Sequence, residues 1–150
     1  MKKVMMIVAA MVLLMTGCQP EKDEWSRFYG FTKADIVGNY IANPDESCYE
    51  DYPVEDVTTH RNAQVDVIDL GGDLVEVRVA IPNVIHKSYT GVVGTEGHDT
   101  EIIFSDYSDN DLVLDVYKNT QNQVRLHGRV RQVVTAGILT KVDVFDVVKK

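Results

Sequence analysis

The stretch "AQVDVIDLGGDLVEVRVAI", residues 63 to 81, decides the fold. Apolar and polar residues alternate on both sides of Gly71-Gly72-Asp73, which is the pattern of two half-buried strands joined by a tight turn. A three-residue loop there brings valines together on one face and opposite charges together on the other. The predicted cross-strand pairs are Val67 with Val77, Val65 with Val79, and Asp66 with Arg78. The stretch therefore predicts a β-hairpin with one buried and one solvated face.

The same alternation recurs along the rest of the chain. The clearest later segments are "TEIIFSDY" (100–107), "DLVLDVYK" (111–118), "VRLHGRVRQVV" (124–134) and "ILTKVDVFDVV" (138–148). Short turn-forming segments separate them, and no crossover helix is indicated, so the strands pair in antiparallel fashion. We predict an all-β fold, an antiparallel up-and-down β-barrel of about eight strands.

Two more hairpins follow from charge and apolar matching. Around "NTQNQ" (119–123) and "TAG" (135–137), the predicted pairs are Leu114 with Leu126, Asp115 with Arg125, Val130 with Val142, and Arg129 with Asp143. These registers place aliphatic side chains inside the barrel. The predicted inward positions are Val65, Val67, Val77, Val79, Leu114, Leu126, Val130, Val142 and Val144. Such residues are large enough to fill a barrel of eight strands completely, and an equally wide barrel can hold one small ligand.

Residues 31 to 42, "FTKADIVGNYIA", precede the alternating strands. Thr32 and Asp35 have the spacing that caps a short helical turn. Gly38-Asn39-Tyr40 then resembles the Gly-x-aromatic motif that opens the first strand of calycins, especially the calycin-like or lipocalin-like lipoproteins of Bacteroidota, with tyrosine in place of tryptophan. The resemblance implies a calycin-like barrel over residues 33 to 148. It also implies a basic side chain packed across the aromatic ring, at a position that the sequence leaves open.

The beginning of the chain has the features of a signal peptide. Lys2 and Lys3 precede a twelve-residue apolar run, which is shorter than the roughly 20 residues of a membrane-spanning helix. The run ends in "LMTGC" (14–18), which resembles the lipobox of bacterial lipoproteins and implies lipidation at Cys18. An ordinary signal peptide with an incidental cysteine is the alternative. The predicted organisation is a signal peptide at 1–17, a lipidated cysteine and tether at 18–32, and a barrel domain at 33–150.

The tether indicates a location. Gln19 differs from the aspartate that resembles an inner-membrane retention signal, which favours the outer membrane. "EKDE" (21–24) resembles the export tag of surface-exposed lipoproteins in Bacteroidota, although charged segments of this kind also serve as solvated tethers. We therefore expect a lipid-anchored protein of the outer membrane, either facing outward or facing inward.

Composition excludes several classes. The formal net charge of −8 disfavours nucleic-acid binding, because phosphate backbones repel an acidic surface. If Cys18 is lipidated, Cys48 is the remaining cysteine, so no disulfide within the chain and no cysteine-based zinc site are expected. Cys48 fits a small buried apolar residue, with a disulfide between chains as the alternative.

The long segment 43–62 corresponds to the lid loop of lipocalins. Tyr49 and Tyr52 in this segment, together with Tyr40 at the barrel entrance, are the predicted ligand contacts, because tyrosine combines an apolar body with a polar tip. The carboxylates of the segment lack the alternating pattern of a calcium loop, so a solvated acidic lid is favoured over a metal site.

Other polar features favour no catalytic role. "GVVGTEGHDTE" (91–101) lacks the lysine and the strand-to-helix context of a phosphate loop, and His98 and Asp99 have no recurring ligand spacing. Arg125, His127, Arg129 and Arg131 form a basic stripe, which fits a partly paired outer face better than an anion site. We expect no enzyme activity, no metal and no cofactor.

Two functions remain. The calycin resemblance implies a binding module for a small apolar or amphiphilic ligand. The alternative is a filled barrel that acts as an accessory subunit for another envelope protein, through its surface. The aromatic cluster Trp25, Phe28, Tyr29 and Phe31 is expected to close one end of the barrel, with contact to the membrane interface as the alternative.

Overall fold

The computed structural model describes residues 24–42, 48–52, 56–60, 62–93, 101–106, 110–134 and 138–150. These residues form one short helix and eleven strands. The helix is α1 (Lys33–Ile36), and the strands are β1 (Ser26–Arg27), β2 (Gly38–Ala42), β3 (Cys48–Tyr52), β4 (Asp56–His60), β5 (Gln64–Gly71), β6 (Leu74–Ile81), β7 (Ile85–Val92), β8 (Glu101–Asp106), β9 (Asn110–Lys118), β10 (Val124–Val134) and β11 (Ile138–Lys149). Within this part of the chain, no helix is long and apolar enough to cross a membrane.

All strands belong to one antiparallel sheet that curls into a barrel-like shape. Its main path passes through eight strands in the order β1-β9-β10-β11-β2-β5-β6-β7, while β8 pairs with β9 and the β3–β4 hairpin pairs with β11. Within the described part of the chain, β7 and β8 meet without a hydrogen-bonded ladder, so the sheet is a curled half-barrel. The predicted all-β, up-and-down antiparallel fold with a short helical turn at its start is confirmed.

The hairpin of β5 and β6 has the predicted register. Its pairs include Val67 with Val77, Val65 with Val79, and Asp66 with Arg78. An irregularity between Asp69 and Gly71 absorbs one residue, so that Gly71 pairs with Leu74. Gly71 and Gly72 have φ values of 91° and 54°, a left-handed conformation that glycine adopts without steric cost. The glycine pair therefore lets the turn close while the valine face of the hairpin stays buried and the charged face stays in solvent.

The register of β9 and β10 differs from the prediction by two residues. The structure pairs Leu126 with Val116, His127 with Asp115, and Arg125 with Tyr117, not Leu114 with Leu126 or Asp115 with Arg125. The turn is the reason, because Asn119 Oδ1 accepts hydrogen bonds from the backbone nitrogens of Gln121 and Gln123 at 3.0 and 2.8 Å. This turn ends the ladder at Lys118 and Val124. A shift by two keeps every side chain on its predicted face.

The predicted register of β10 and β11 is found only next to the turn, where Val133 pairs with Leu139 and Val134 with Ile138. An irregularity between Gln132 and Val133 slips the remaining ladder by one residue, so that Val130 pairs with Asp143 and Arg131 with Val142. The predicted pairs of Val130 with Val142 and Arg129 with Asp143 are wrong for this reason. Because a slip by one exchanges the two faces of a strand, the inner face of β11 carries Phe145 and Val147, and Val142 and Val144 are not on it.

One end of the barrel, called the capped end below, is closed by the segment 28–37. Phe28 and Phe31 pack with their ring centroids 6.2 Å apart, and Ile36 is fully buried in the core. The helical turn begins at Thr32 as predicted, since Thr32 N and Oγ1 both donate to Asp35 Oδ2 at 2.7 Å. These hydrogen bonds hold the pKa of Asp35 below its ordinary value. Two of the four predicted aromatic residues, Phe28 and Phe31, therefore form this closure.

A basic side chain lies at the Gly-x-aromatic motif. Lys149, the last residue of β11, pairs with Tyr40 of β2. Its Nζ donates to Asp35 O at 2.7 Å, and a Cβ added at Gly38 would lie 2.7 Å from Lys149 Cε. The lysine stem thus occupies the space beside Gly38 and ties the last strand to the helical turn.

Candidate functional site

The inside of the barrel is filled by side chains in the part that the structure describes. Fully buried residues include Tyr40, Val65, Val75, Val77, Val79, Ile81, Leu112, Leu114, Val116, Leu126, Phe145 and Val147. Two phenylalanine rings pack over glycines of the neighbouring strands. A Cβ at Gly128 would lie 2.0 Å from Phe145 Cζ, and a Cβ at Gly91 would lie 2.5 Å from Phe104 Cδ1. A larger residue at either glycine would therefore occupy the space that the ring needs.

The end opposite the capped end, called the open end below, has polar groups on its inner face. Asp143 is 2% exposed, and Lys141 Nζ lies 2.8 Å from its Oδ1. Lys87 shares the inner face of β7 with Tyr89, and its Nζ lies 5.2 Å from the centroid of that ring. These residues can hold an anionic or hydroxylated group, because they combine cations with an aromatic surface.

The outer face of β5, β6 and β7 carries two adjoining grooves. The first has a volume of about 490 Å³ and surrounds the turn at Pro82 and Asn83. The second has a volume of about 650 Å³ and is polar. It is lined by Gln64, Asp66, Glu76, Arg78, His86 and Ser88, among others. Because Gln64, Ala80 and His86 line both grooves, they form one continuous depression, called the outer groove below.

Charges in the outer groove are held in defined positions. Arg78 donates from Nε and Nη2 to the two carboxylate oxygens of Glu76 at 3.0 and 2.9 Å. This pairing lowers the pKa of Glu76 and raises that of Arg78. Asn39 Nδ2 donates to Asp66 Oδ1 at 2.6 Å on the neighbouring strand. A partner would thus meet fixed donors and acceptors of both signs of charge.

The basic stripe of β10 is built into a network of ion pairs. Arg125 Nε and His127 Nδ1 lie 3.1 and 3.0 Å from Asp146 Oδ1. Arg129 Nη2 lies 3.3 Å from Asp115 Oδ2. Arg125 and Arg129 each have an acidic neighbour, as expected, but the acids are Asp146 and Asp115 because of the two register changes.

Aromatic rings flank this network. The guanidinium carbon of Arg125 lies 5.6 Å from the ring centroid of Trp25 and 5.3 Å from that of Tyr117. Both distances are within the range of cation–π attraction. The stripe is therefore an organised part of the outer surface, in which Trp25 packs outside the barrel.

Tyr40 has a structural contact. It is 1% exposed, and its hydroxyl donates to Ile36 O at 2.6 Å. Burial, and then the negative charge of Asp35, raise the pKa of the Tyr40 hydroxyl. The residue lies in the core beneath the capped end, and its contact with a ligand stays a prediction.

The structure describes the remaining predicted site residues only in part. Tyr49 and Tyr52 belong to β3, where their backbones pair with Val144 and Val142, and their side chains lie outside the described residues. The backbone of Cys48 opens the same strand. Cys18, His98 and Asp99 lie outside the described residues altogether. A site shared by the three tyrosines therefore stays a prediction.

The described residues contain no group of three His, Cys, Asp or Glu side chains that could hold a metal ion. Comparison with known proteins gives no relative: no family model, no curated protein and no solved structure matches the chain. The outer groove, and the polar residues at the open end, therefore have to be interpreted from their chemistry alone.

Both features were missed in the sequence for identifiable reasons. The outer groove is lined by residues of three strands and of the turn at Pro82 and Asn83. Alternation along one strand does not show which residues of different strands line a common depression. Asp143 and Lys141 lie inside because β11 has one extra residue, Thr140, opposite the step from Gln132 to Val133. No Gly or Pro marks this irregularity. One signal was present: a glycine inside a strand, as in Gly128, often marks a close approach by another group.

Proposed function

We propose that this chain is a lipoprotein anchored at the outer membrane whose barrel domain is an accessory subunit. It binds another protein of the cell envelope through its outer face. The observation that carries the proposal is the contrast between the two faces. Large side chains fill the inside, whereas the outer groove is open to solvent and is lined by charged and polar side chains along β5, β6 and β7.

The anchoring half of the proposal is supported by the leader. A short apolar run, a small residue and a cysteine occur in the order that lipidation requires, and the charged segment after Cys18 suits a tether. An acyl chain contributes about 0.8 kcal/mol per buried methylene, so more than one chain makes the attachment stable.

The binding half is supported by the chemistry of the outer groove. Exposed Arg78 and His86, the Glu76 carboxylate and the Ser88 hydroxyl offer charges and hydrogen bonds of both kinds. The rims of protein interfaces have this polar character. The part of the groove around Pro82 and Asn83 adds apolar contacts from Ile81 and Val84. A polar segment of a folded protein that also carries an apolar side chain would match both parts of the groove.

Photo-crosslinking in the host tests this proposal. A photo-reactive amino acid at Ser88 is expected to give a single protein adduct, and the same amino acid at Thr120 serves as a control outside the groove. Arg78→Glu is expected to remove the adduct. The exchange Glu76→Arg with Arg78→Glu keeps the internal ion pair, so it separates loss of recognition from loss of folding. Equal adducts at both positions, or an adduct that survives both variants, would contradict the proposal.

A small amphiphilic ligand is the second candidate function. The observation that favours it is the polar inner face at the open end, where Lys87, Lys141 and Tyr89 combine cations with an aromatic ring. The test is the mass of the protein purified from the host without detergent, under native and denaturing conditions. An extra native mass on the scale of one small ligand, lost in Lys141→Met, would favour this function over the accessory subunit.

A further inference from the structure

Exposed large apolar side chains are concentrated at the capped end. Among the described residues, Val92 is 60% exposed, Leu70 48%, Leu74 43% and Tyr29 66%. Ile41, the fifth such residue, lies elsewhere on β2. Scattered apolar residues are normal on protein surfaces, but a cluster at one end indicates a contact. Leu70, Leu74 and Val92 are called the apolar tip below.

The apolar tip is a continuous feature of the β5–β6–β7 meander. Leu74 of β6 and Val92 of β7 are direct partners on adjacent strands, which places their Cβ atoms about 5 Å apart. Leu70 precedes Gly71, which pairs with Leu74. Lys33 Nζ donates to Gly72 O at 2.6 Å and joins this turn to α1. The three side chains therefore project from one corner that the helical turn holds in place.

The chain enters the domain at the same end. Ser26 of β1 pairs with Lys118, the last residue of β9, so β1 begins at the capped end. Seven residues lie between Cys18 and Ser26, so eight Cα-to-Cα steps connect them. A fully extended chain of that length spans at most about 26 to 29 Å. The capped end is thus held within this distance of any membrane to which Cys18 is attached.

The open end is farther from the anchor. β6 has 8 residues, a length of about 26 Å, and separates the apolar tip from the turn at Asn83. A lipid surface is therefore the occupant that the geometry favours. The tether keeps that surface next to the apolar tip, and Tyr29 adds a residue type that is enriched at membrane interfaces.

We propose that the apolar tip rests in the lipid surface and orients the barrel with its open end away from the membrane. The inference rests on the proposed anchoring at Cys18. It extends that proposal, because attachment at Cys18 alone would not fix the orientation of the barrel. In this orientation the outer groove stands roughly upright beside the membrane and is accessible to an envelope protein.

Quenching of a single tryptophan tests the orientation. The protein is purified from the host with Trp25→Phe and Cys48→Ser, and a tryptophan is introduced at Val92, Thr120 or Asn83 in separate variants. Each variant is placed in vesicles of phosphatidylethanolamine and phosphatidylglycerol that contain brominated lipid. Thr120 is the matched control at the capped end, because it lies in the polar β9–β10 turn beside the entering chain. Asn83 is the control at the open end.

We expect emission at position 92 to shift to shorter wavelength and to lose more intensity than at position 120, with no loss at position 83. Quenching at 120 equal to or greater than that at 92 would mean that the tether alone brings this end near the lipid, and would overturn the proposal. Equal quenching at 92 and 83, or none at 92, would also overturn it.

A separate measurement shows whether the proposed lipid anchoring at Cys18 is wrong. The denatured mass of the protein shows whether Cys18 carries acyl chains. If it does not, the free Cys18 thiol is coupled to a maleimide lipid in the same vesicles, and the three positions are compared again. The test of the apolar tip therefore has an outcome even if the proposed lipidation is wrong.

Discussion

The ring of Phe145 occupies the space that a side chain at Gly128 would need. The two residues are direct partners on β11 and β10, and a Cβ added to the glycine would lie 2.0 Å from Phe145 Cζ. Phe104 makes the same use of Gly91 where β7 meets β8. Each ring packs over a glycine of the neighbouring strand. The pairing of a glycine with a large ring therefore contributes to the filling of the interior.

The first prediction concerns this pair. We expect Gly128→Ala to lower the free energy of unfolding by about 1 to 3 kcal/mol, because an added methyl in a packed core forces the ring from its position. Urea unfolding followed by circular dichroism measures the loss. In a Phe145→Leu background, the same change is expected to cost clearly less, since the shorter side chain leaves room for it. Equal costs in the two backgrounds would show that the ring does not occupy this space.

The second prediction concerns Tyr40 and alkaline pH. The hydroxyl of Tyr40 donates to Ile36 O at 2.6 Å, and burial raises its pKa. The stabilisation is thus fully present below the unfolded pKa of about 10 and is lost as the pH rises from there towards the folded value. At neutral pH, Tyr40→Phe is expected to cost about 1 kcal/mol, because Ile36 O loses its donor.

The pH profile separates the hydrogen bond from mere packing. The difference in unfolding free energy between the wild type and Tyr40→Phe is expected to shrink above about pH 10, because ionisation then favours unfolding only in the protein that keeps the hydroxyl. The two proteins are compared by urea unfolding at neutral pH and across this alkaline range. A difference that does not change with pH would contradict the assignment.

The strand content and the hairpin of β5 and β6 could be predicted from the sequence because they depend on local patterns. Alternation assigns faces, and the Gly71-Gly72 pair supplies the left-handed residues that the turn requires. The registers that failed depend on other interactions. Asn119 closes a five-residue turn through its own side chain. β11 has one extra residue, Thr140, opposite Gln132 and Val133, and no turn residue marks it.

The candidate site was predicted less well for a related reason. Alternation places the outward residues of β5, β6 and β7 on a solvated face, but it does not show that residues of three strands line one depression. The inward position of Asp143 follows from a one-residue slip, which reverses the face of each later residue on β11. Face assignment from alternation is therefore reliable only up to the first irregularity in a strand.

The third prediction concerns the buried acid of the outer network. Asp115 is 3% exposed, and it receives Arg129 at 3.3 Å and Arg27 at 3.7 Å. We expect Asp115→Asn to lower the free energy of unfolding by about 1 to 3 kcal/mol, because two arginines lose the charge that they share. The loss is less than that of a fully buried pair, since both guanidinium groups are about half exposed.

Asp69→Asn is the matched control for that change. Like Asp115, Asp69 pairs with a cation, in this case Lys33 alone. Asp69 is exposed to solvent, where ion pairs contribute little to stability. We expect a clearly smaller effect on thermal unfolding, which high salt reduces further. If the two variants lose equal stability, the burial of Asp115 is not what gives its network its strength.

The last prediction concerns Gly38 of β2 and Lys149 of β11, which lie against each other where the two strands pair. Gly38 has a φ of 148°, and a Cβ added to it would lie 2.7 Å from Lys149 Cε. Gly38→Ala is therefore expected to destabilise the domain in two ways, through backbone strain and through displacement of the lysine stem. Displacement would also cost the hydrogen bond from Lys149 Nζ to Asp35 O.

A double-mutant cycle with Lys149→Ala separates the two effects. Lys149→Ala alone is expected to cost about 1 to 2 kcal/mol, from the lost hydrogen bond and the lost packing of the stem. In that background Gly38→Ala retains only the backbone strain, so its cost in urea unfolding falls without reaching zero. Strict additivity would mean that the stem moves aside freely, and complete loss of the cost would mean that the φ of Gly38 imposes no strain.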